Sequence, residues 1–375
     1  MSQTAAFDFI VIGAGIAGAS VAAELSNSAR VALIERESQP GYHTTGRSAA
    51  LYTRAYGPAV MRAMTRASFG FYSGGADPDM PQDLLQPRGV LLIARADQRD
   101  ALATMHRDLG DAVVPASFDD LKAQVPLIRD DYAIGGLYEA DAYDIDVHGT
   151  HQYFLRQFRA NGGQTILQAD VTGLSRENGT WAVDSRQGQV KAATVINAAG
   201  AWADQIAELA GVSPLGLRPL RRTAALIAPP AGVNVDDWPL VVDAEEGFYM
   251  KPDAGNLLIS PADETLSPPC DAQPEELDIA ICVDRIEKAI NLQVRRIDHK
   301  WAGLRSFFPD KLPAVGYDAN AEGFFWLAGQ GGYGIQTAPA MARSAAALAM
   351  RQDLPQDVRD EGVTADQVSP NRLRI

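Results

Sequence analysis

The chain has 375 residues, about 2.5 times the ~150 typical of one domain, so two domains or one large composite fold are expected, with no need for disulfide or metal staples. Apolar residues make up 46% and charged residues 21%, which excludes a disordered chain, a collagen-like chain and a coiled coil. The 33 Lys and Arg against 47 Asp and Glu leave a net charge of −14, a balance that argues against a nucleic-acid partner.

The start, Met1-Ser2-Gln3-Thr4, shows no basic region and no cleavage pattern, and the end, Arg372-Leu373-Arg374-Ile375, shows no targeting tripeptide. No stretch reaches the ~18 apolar residues of a membrane span, so a cytoplasmic protein without a transmembrane segment is expected. The first element is a short apolar run, 7–12, read as a buried parallel strand. Gly13-Ala14-Gly15-Ile16-Ala17-Gly18 follows, then an Ala-rich helical stretch over 19–26 and a second strand over 30–34 that ends at Glu35. Strand, glycine turn, helix, strand and acid make up a dinucleotide site. Gly13 permits the turn, Gly15 admits a pyrophosphate, Gly18 lets helix and strand pack, and the helix N-terminus faces the phosphates. Glu35, 17 residues after Gly18, is placed to accept from ribose hydroxyls. The adjacent Arg36 invites an NADP reading, which the rest of the chain disfavours.

The polar segment Gly41-Tyr42-His43-Thr44-Thr45-Gly46-Arg47-Ser48-Ala49-Ala50 suits a phosphate or a flavin edge, or equally a surface loop with a Ser or Thr helix cap. Helical spacing marks 58–72, 97–110 and 150–161, and 90–94 is a strand. Short strands are predicted over 164–168, 170–176, 180–185 and 194–198. Strands dominate 221–301, with one helix near 275–290 that carries Cys282. Neither it nor Cys270 has metal-ligand spacing, so both read as reduced thiols and no metal site is expected. The tail holds a strand over 324–328, a glycine loop over 329–334 and an Ala-rich helix over 338–350. Nucleotide-binding features at both ends and in the middle imply a discontinuous cofactor domain (1–50, 145–215 and 300–375), with 51–144 and 216–299 forming a substrate part.

The glycine turn with Glu35, the segment Asn197-Ala198-Ala199-Gly200-Ala201-Trp202, the run Trp301-Ala302-Gly303-Leu304-Arg305 and the loop Gly329 to Thr337 together resemble the D-amino-acid oxidase-like family of FAD-dependent oxidoreductases, nearly end to end. Within it, Tyr42-His43-x-Thr45-Gly46-Arg47-Ser48-Ala49-Ala50 and Phe248-Tyr249-x-Lys251-Pro252-Asp253-Ala254-Gly255 are most similar to the bacterial D-arginine dehydrogenase branch. The resemblance implies an α/β fold, a Rossmann-like FAD-binding domain with an inserted antiparallel-sheet substrate domain, and non-covalent FAD. It implies that Arg222 and Arg305 hold a substrate carboxylate, that Tyr249 adds a phenolic hydrogen bond, and that Tyr56 sits in a mobile loop over the site. Gly332 and Gln336 would lie near the flavin and the substrate amine, Glu35 at the adenosine ribose, and Val171 at the adenine. The remaining cofactor contacts would come from Ile16, Ala17 and Arg36, from Thr45 through Ala50, from Ala199, Gly200, Trp202 and Gly303, and from Gly331 through Ile335, Tyr333 and Gly334 included.

Arginine suits the clamp because its planar fork matches a carboxylate and stays charged. The alternatives are an Arg222 paired like its neighbour Arg221, an Arg305 paired with Asp310, and a Tyr249 that is only a sheet residue. Where the D-arginine branch has a pocket glutamate and histidine, this chain has Val90 and Leu51. With Leu240 and Val242 they form an apolar side-chain pocket, unless Asp243, Glu245 or Glu246 supplies a carboxylate. A guanidinium desolvated there costs several kcal/mol, about a hundredfold or more in affinity, so neutral or hydrophobic D-amino acids are expected over D-Arg. The implied reaction moves a hydride from Cα to flavin N5 and gives an imino acid that hydrolyses to a 2-oxo acid and ammonia. The expected activity is a dehydrogenase that passes electrons to a quinone or other carrier, with O2 as the oxidase alternative. A monomer or homodimer is expected. Alternatives within the family are a glycine, sarcosine or secondary-amine oxidase and an FAD-dependent 2-hydroxy-acid dehydrogenase; a non-catalytic FAD-binding protein fits the chain less well.

Overall fold

The computed structural model describes residues 7–74, 80–81 and 83–374. Met1 to Thr4, on which the reading of the N-terminus rests, and Ile375 lie outside the described residues.

The strand Phe7–Ile12 is the centre of the first sheet, as its unbroken apolar run requires. It pairs in parallel with Val31–Ile34 on one side and Gly188–Asn197 on the other. Gln164–Ile166 extends the first edge, and Phe324–Ala328 joins Gly188–Asn197 in parallel. The antiparallel strands Val171–Glu177 and Thr180–Ser185 curl off the same long strand. Helices Ile16–Ser26, Val147–Ala160 and Gly334–Ala349 pack together on one face, with Phe154, Phe158 and Met341 buried between them.

The second sheet joins segments far apart in sequence. Arg218–Ile227 pairs with His299–Phe307 over nine register positions, and Asn256–Ser260, Tyr249–Asp253 and Leu240–Asp243 follow in antiparallel order. Leu240–Asp243 then runs parallel to Val90–Ala94, which pairs in turn with Gly135–Glu139. The α/β expectation holds, and this single parallel pair interrupts an otherwise antiparallel second sheet. Among the described residues no helix is long and apolar enough to cross a membrane.

Most predicted elements stand within three residues of their expected limits, including Ala59–Tyr72, Arg99–Leu109, Glu276–Ala289 and Phe324–Ala328. The last long helix differs. It starts at Gly334, four residues before the expected 338, and carries Pro339 inside it. Proline has no N–H for the carbonyl four residues back. That carbonyl, on Ile335, accepts instead from the Tyr72 hydroxyl of helix Ala59–Tyr72. Ser68 accepts from Ala340 N, and Thr65 from Gln336 Nε2, so three hydroxyls at helical spacing stitch the two helices together.

Candidate active site

The site begins at the glycine turn. Gly13 sits at φ +100°, and a Cβ there would lie 2.5 Å from the Ala198 carbonyl oxygen. A Cβ on Gly18 would lie 1.8 Å from the Gly13 oxygen, so the helix packs onto the turn only because that Cβ is absent. Glu35, buried at the end of its strand, accepts from Ala14 N at 2.8 Å and from Glu37 N at 2.9 Å. Thr45 caps a distant helix, its Oγ1 accepting from Ile16 N at 2.9 Å. His151 reaches in from helix Val147–Ala160, and its Nε2 donates to Ala14 O at 2.9 Å. Burial pushes the His151 pKa down and keeps the ring neutral.

Beside this turn lies a cavity of about 430 Å³ lined by Gly13, Gly15, Glu35, Arg36, Thr45, Val171 and Ala198 to Trp202. Arg36 lies over the Trp202 ring at 5.0 Å. His43 also lines it, 4.7 Å from Trp202 and 2.9 Å from a Glu37 oxygen. A second cavity shares Thr44 and Thr45 with the first. It runs past Ile16, Arg47, Ser48 and Ala49 to Gly303, Gly331, Gly334 and Ile335 at the N-terminus of the last long helix. Arg47 is fixed there by the Ala272 and Ala302 carbonyls and by Asp271.

The third cavity, about 180 Å³, shares Ser48, Ala49, Arg222, Tyr249, Arg305 and Gly332 with the second. Strand alternation explains its arginines. Arg222 stands opposite Gly303 and Arg305 opposite Leu220, so both guanidinium groups leave the same face of the ribbon, with side-chain-free Gly303 between them. Arg221 leaves the other face, where Asp263, Glu275 and Asp278 surround it. Arg222 is 7% exposed; its Nη2 donates to Glu264 at 3.2 Å, and its Nε has no partner. Arg305 Nη1 donates to the Tyr56 hydroxyl at 3.1 Å. Burial raises the Tyr56 pKa and keeps it a phenol, although Arg305 pulls the other way. Asp310 pairs with Arg372, not with Arg305.

The other end of this cavity is apolar. Val90 and Leu92 stand in register with Leu240 and Val242, and Leu51 and Met105 complete the wall. Asp243 is consumed by Arg95 and Gln98, and Glu245 accepts from Gln98. Glu246 lines the cavity from an exposed position at φ +55°. Ala50, Tyr56 and Gln336 line it too, but the Gln336 amide is already engaged by Thr53 N and Thr65 Oγ1. Of the residues assigned by sequence, Ala17, Gly18, Gly46 and Tyr333 do not line these three cavities. Leu92, Met105 and the Arg222 partner Glu264 were not assigned. Lys251 pairs with Asp144, Lys300 with Glu276, and Lys311 with Glu264 at 3.9 Å.

The sequence profile of the FAD dependent oxidoreductase family matches residues 8–348. Among curated proteins, L-2-hydroxyglutarate dehydrogenase of Escherichia coli (strain K12) is 27% identical over 224 residues, covering 56% of this chain and 51% of that protein. The chain thus spans about half the length of that relative. An uncharacterized oxidoreductase of Bacillus subtilis (strain 168) is 24% identical, covering 93% of this chain and 96% of its own. Among solved structures, glycine oxidase from Geobacillus kaustophilus superposes with a TM-score of 0.78 at 20% identity, covering 92% of this chain and 95% of its own. L-proline dehydrogenase from P. horikoshii gives 0.79 at 22% identity, with 98% and 97% covered. These structures share the fold. The cofactor is FAD, and the residues present fit it: a glycine cradle no Cβ could enter, a buried carboxylate at the end of the second strand, and a helix N-terminus on a second cavity that shares Thr44 and Thr45 with the first.

Proposed function

Because the chain belongs to the FAD dependent oxidoreductase family, we propose that it oxidises D-amino acids with neutral or hydrophobic side chains to imino acids, which water hydrolyses to 2-oxo acids and ammonia. One observation carries this reading. Arg222 and Arg305 meet at one end of a cavity whose other end is built from Leu51, Val90, Leu92, Met105, Leu240 and Val242. A carboxylate fits the first end and an alkyl or aryl side chain the second. The glutamate and histidine of the similar D-arginine dehydrogenase branch are Val90 and Leu51 here, which disfavours D-Arg by about a hundredfold or more. The unpartnered Arg222 Nε and the remaining N–H groups of Arg305 are the donors for the carboxylate. Tyr249 and the neutral Tyr56 phenol close round the same end. Bound FAD supplies the two-electron acceptor chemistry. The discontinuous FAD-binding domain is assigned to segments 1–50, 145–215 and 300–375, and the substrate-binding domain to 51–144 and 216–299. Reoxidation is assigned to a quinone or other carrier on the family resemblance, with O2 as the alternative.

Anaerobic bleaching of the flavin absorbance with D-Leu, D-Met, D-Phe, D-Pro, D-Arg, D-Asp, L-amino acids and 2-hydroxy acids tests the reading. Fast bleaching by apolar D-amino acids with D-Arg slow is the expected result. Bleaching by 2-hydroxy acids alone would overturn it in favour of chemistry like that named for the Escherichia coli relative.

A further inference from the structure

Behind the wall of the third cavity lies a carboxylate that the two-arginine reading leaves without a role. Glu139 stands directly opposite Val90 in the antiparallel pair, so the two side chains leave the same face of the sheet, the one on which Val90 meets the cavity. Glu139 itself is fully buried. A buried carboxylate must be hydrogen-bonded, and both oxygens are spent on one short segment. Oε2 accepts from Thr53 Oγ1 at 2.5 Å, and Oε1 accepts from Arg54 N at 2.6 Å. Thr53 Oγ1 in turn accepts from Ala55 N at 3.2 Å. This segment follows the two-residue strand Leu51–Tyr52, and Thr53, Ala55, Tyr56 and Gly57 on it all line the cavity. Its far end is held by the Tyr56 side chain, through Arg305 and through the Tyr333 ring at 4.8 Å.

We propose that Glu139 is a positioning residue: its carboxylate clamps the backbone at Thr53 and Arg54 and so sets the Tyr56 hydroxyl on Arg305. The proposal rests on the reading of Arg222 and Arg305 as a carboxylate clamp. Glu139 touches no lining residue of the two cofactor cavities through these bonds, so its removal acts on substrate binding and leaves FAD in place. Burial raises the Glu139 pKa while the Thr53 and Arg54 bonds oppose the shift, as expected of a carboxylate kept inside for its hydrogen bonds.

The test titrates the FAD-loaded protein with benzoate, a carboxylate with no amine, and follows the perturbed visible absorbance of the bound flavin. Glu139→Ala and Thr53→Val should each bind benzoate about tenfold more weakly, the order of one hydrogen bond at a charged group. Glu139→Gln should stay near wild type, since its amide oxygen still accepts from Arg54 N. With a D-amino acid that bleaches the flavin, the first two variants should raise KM more than they lower kcat, a split that simple loss of stability does not produce. Equal benzoate affinity in wild type, Glu139→Ala and Thr53→Val overturns the proposal alone. A wild-type protein that binds no benzoate removes the arginine clamp, and the proposal with it. Thr53→Val, which deletes one hydroxyl, keeps the test open where Glu139→Ala does not fold.

Discussion

Replacing Gly332 with alanine is a one-atom test of the carboxylate end of the site. The added Cβ would lie 2.7 Å from the Tyr56 hydroxyl and 3.1 Å from Arg305 Nη1, the two atoms that bond each other at 3.1 Å. The backbone does not resist the change, because Gly332 is not among the positive-φ glycines, whereas its neighbour Gly331 is. The strain therefore falls on two side chains. Both must move, and the charge-assisted bond between them is lost or re-aimed. Such a bond is worth about 1.5–3 kcal/mol, which at about 1.4 kcal/mol per tenfold corresponds to roughly a 10- to 100-fold fall in kcat/KM. The assay is steady-state kcat/KM with the substrate that bleaches the flavin fastest, alongside FAD content and Tm. Flavin content and Tm are measured for each variant and the rates are normalised to bound flavin, because Gly332 also lines the second cavity. A kcat/KM within twofold of wild type, with flavin fully loaded, would refute the placement of Tyr56 and Arg305 at the reacting end.

Glu35→Ala should weaken FAD binding by about 10- to 100-fold in a fluorescence titration, because it orphans the Ala14 and Glu37 N–H groups beside the pyrophosphate turn; unaltered affinity would remove Glu35 from the cofactor site. His151 predicts a pH dependence. Its folded-state pKa is depressed by burial, so its contribution is complete above the free value of about 6.5 and is lost as pH falls through the folded-state value. Tm and FAD retention should therefore decline on acidification below about 6.5. His151→Gln, whose amide can still donate to Ala14 O, should flatten the decline, and an equally steep decline in that variant would place its cause elsewhere.

The nucleotide half of the site is legible in the sequence because its demands are local. Gly13, Gly18 and Glu35 lie within one strand–turn–helix–strand unit, and each residue type follows from a close approach or a hydrogen bond along that unit. Even there, the Ser or Thr cap offered as an alternative for the segment 41–50 serves a different helix, since Thr45 caps Ile16 across 29 residues. The substrate half depends on register between distant segments. That Val90 would meet Leu240 in parallel, and Glu139 in antiparallel, is a property of the assembled sheet. Period-2 alternation shows which side chains share a face but not which strand lies beside them. Leu92 escaped for that reason, while Met105 reaches the cavity from the helix Arg99–Leu109 and Glu264 reaches Arg222 from a connection between strands. Arg222 and Arg305 were assigned through the family resemblance, and the Arg222–Gly303 register gives the physical reason that they share a face which Arg221 does not. The helix boundary at 334 was hidden by Pro339, because the group that compensates for the missing N–H lies 263 residues away in Tyr72.

That compensation has a mechanical consequence. Thr65, Ser68 and Tyr72 each bond the helix whose first turn faces the FAD groove, while their own helix begins two residues after Gly57. Two of the three hydroxyls also donate to carbonyls one turn back in their own helix, so each is saturated from both sides. The two helices are therefore joined by hydrogen bonds as well as by packing, and the residues at the start of the one are tied to the helix whose N-terminus lines the second cavity.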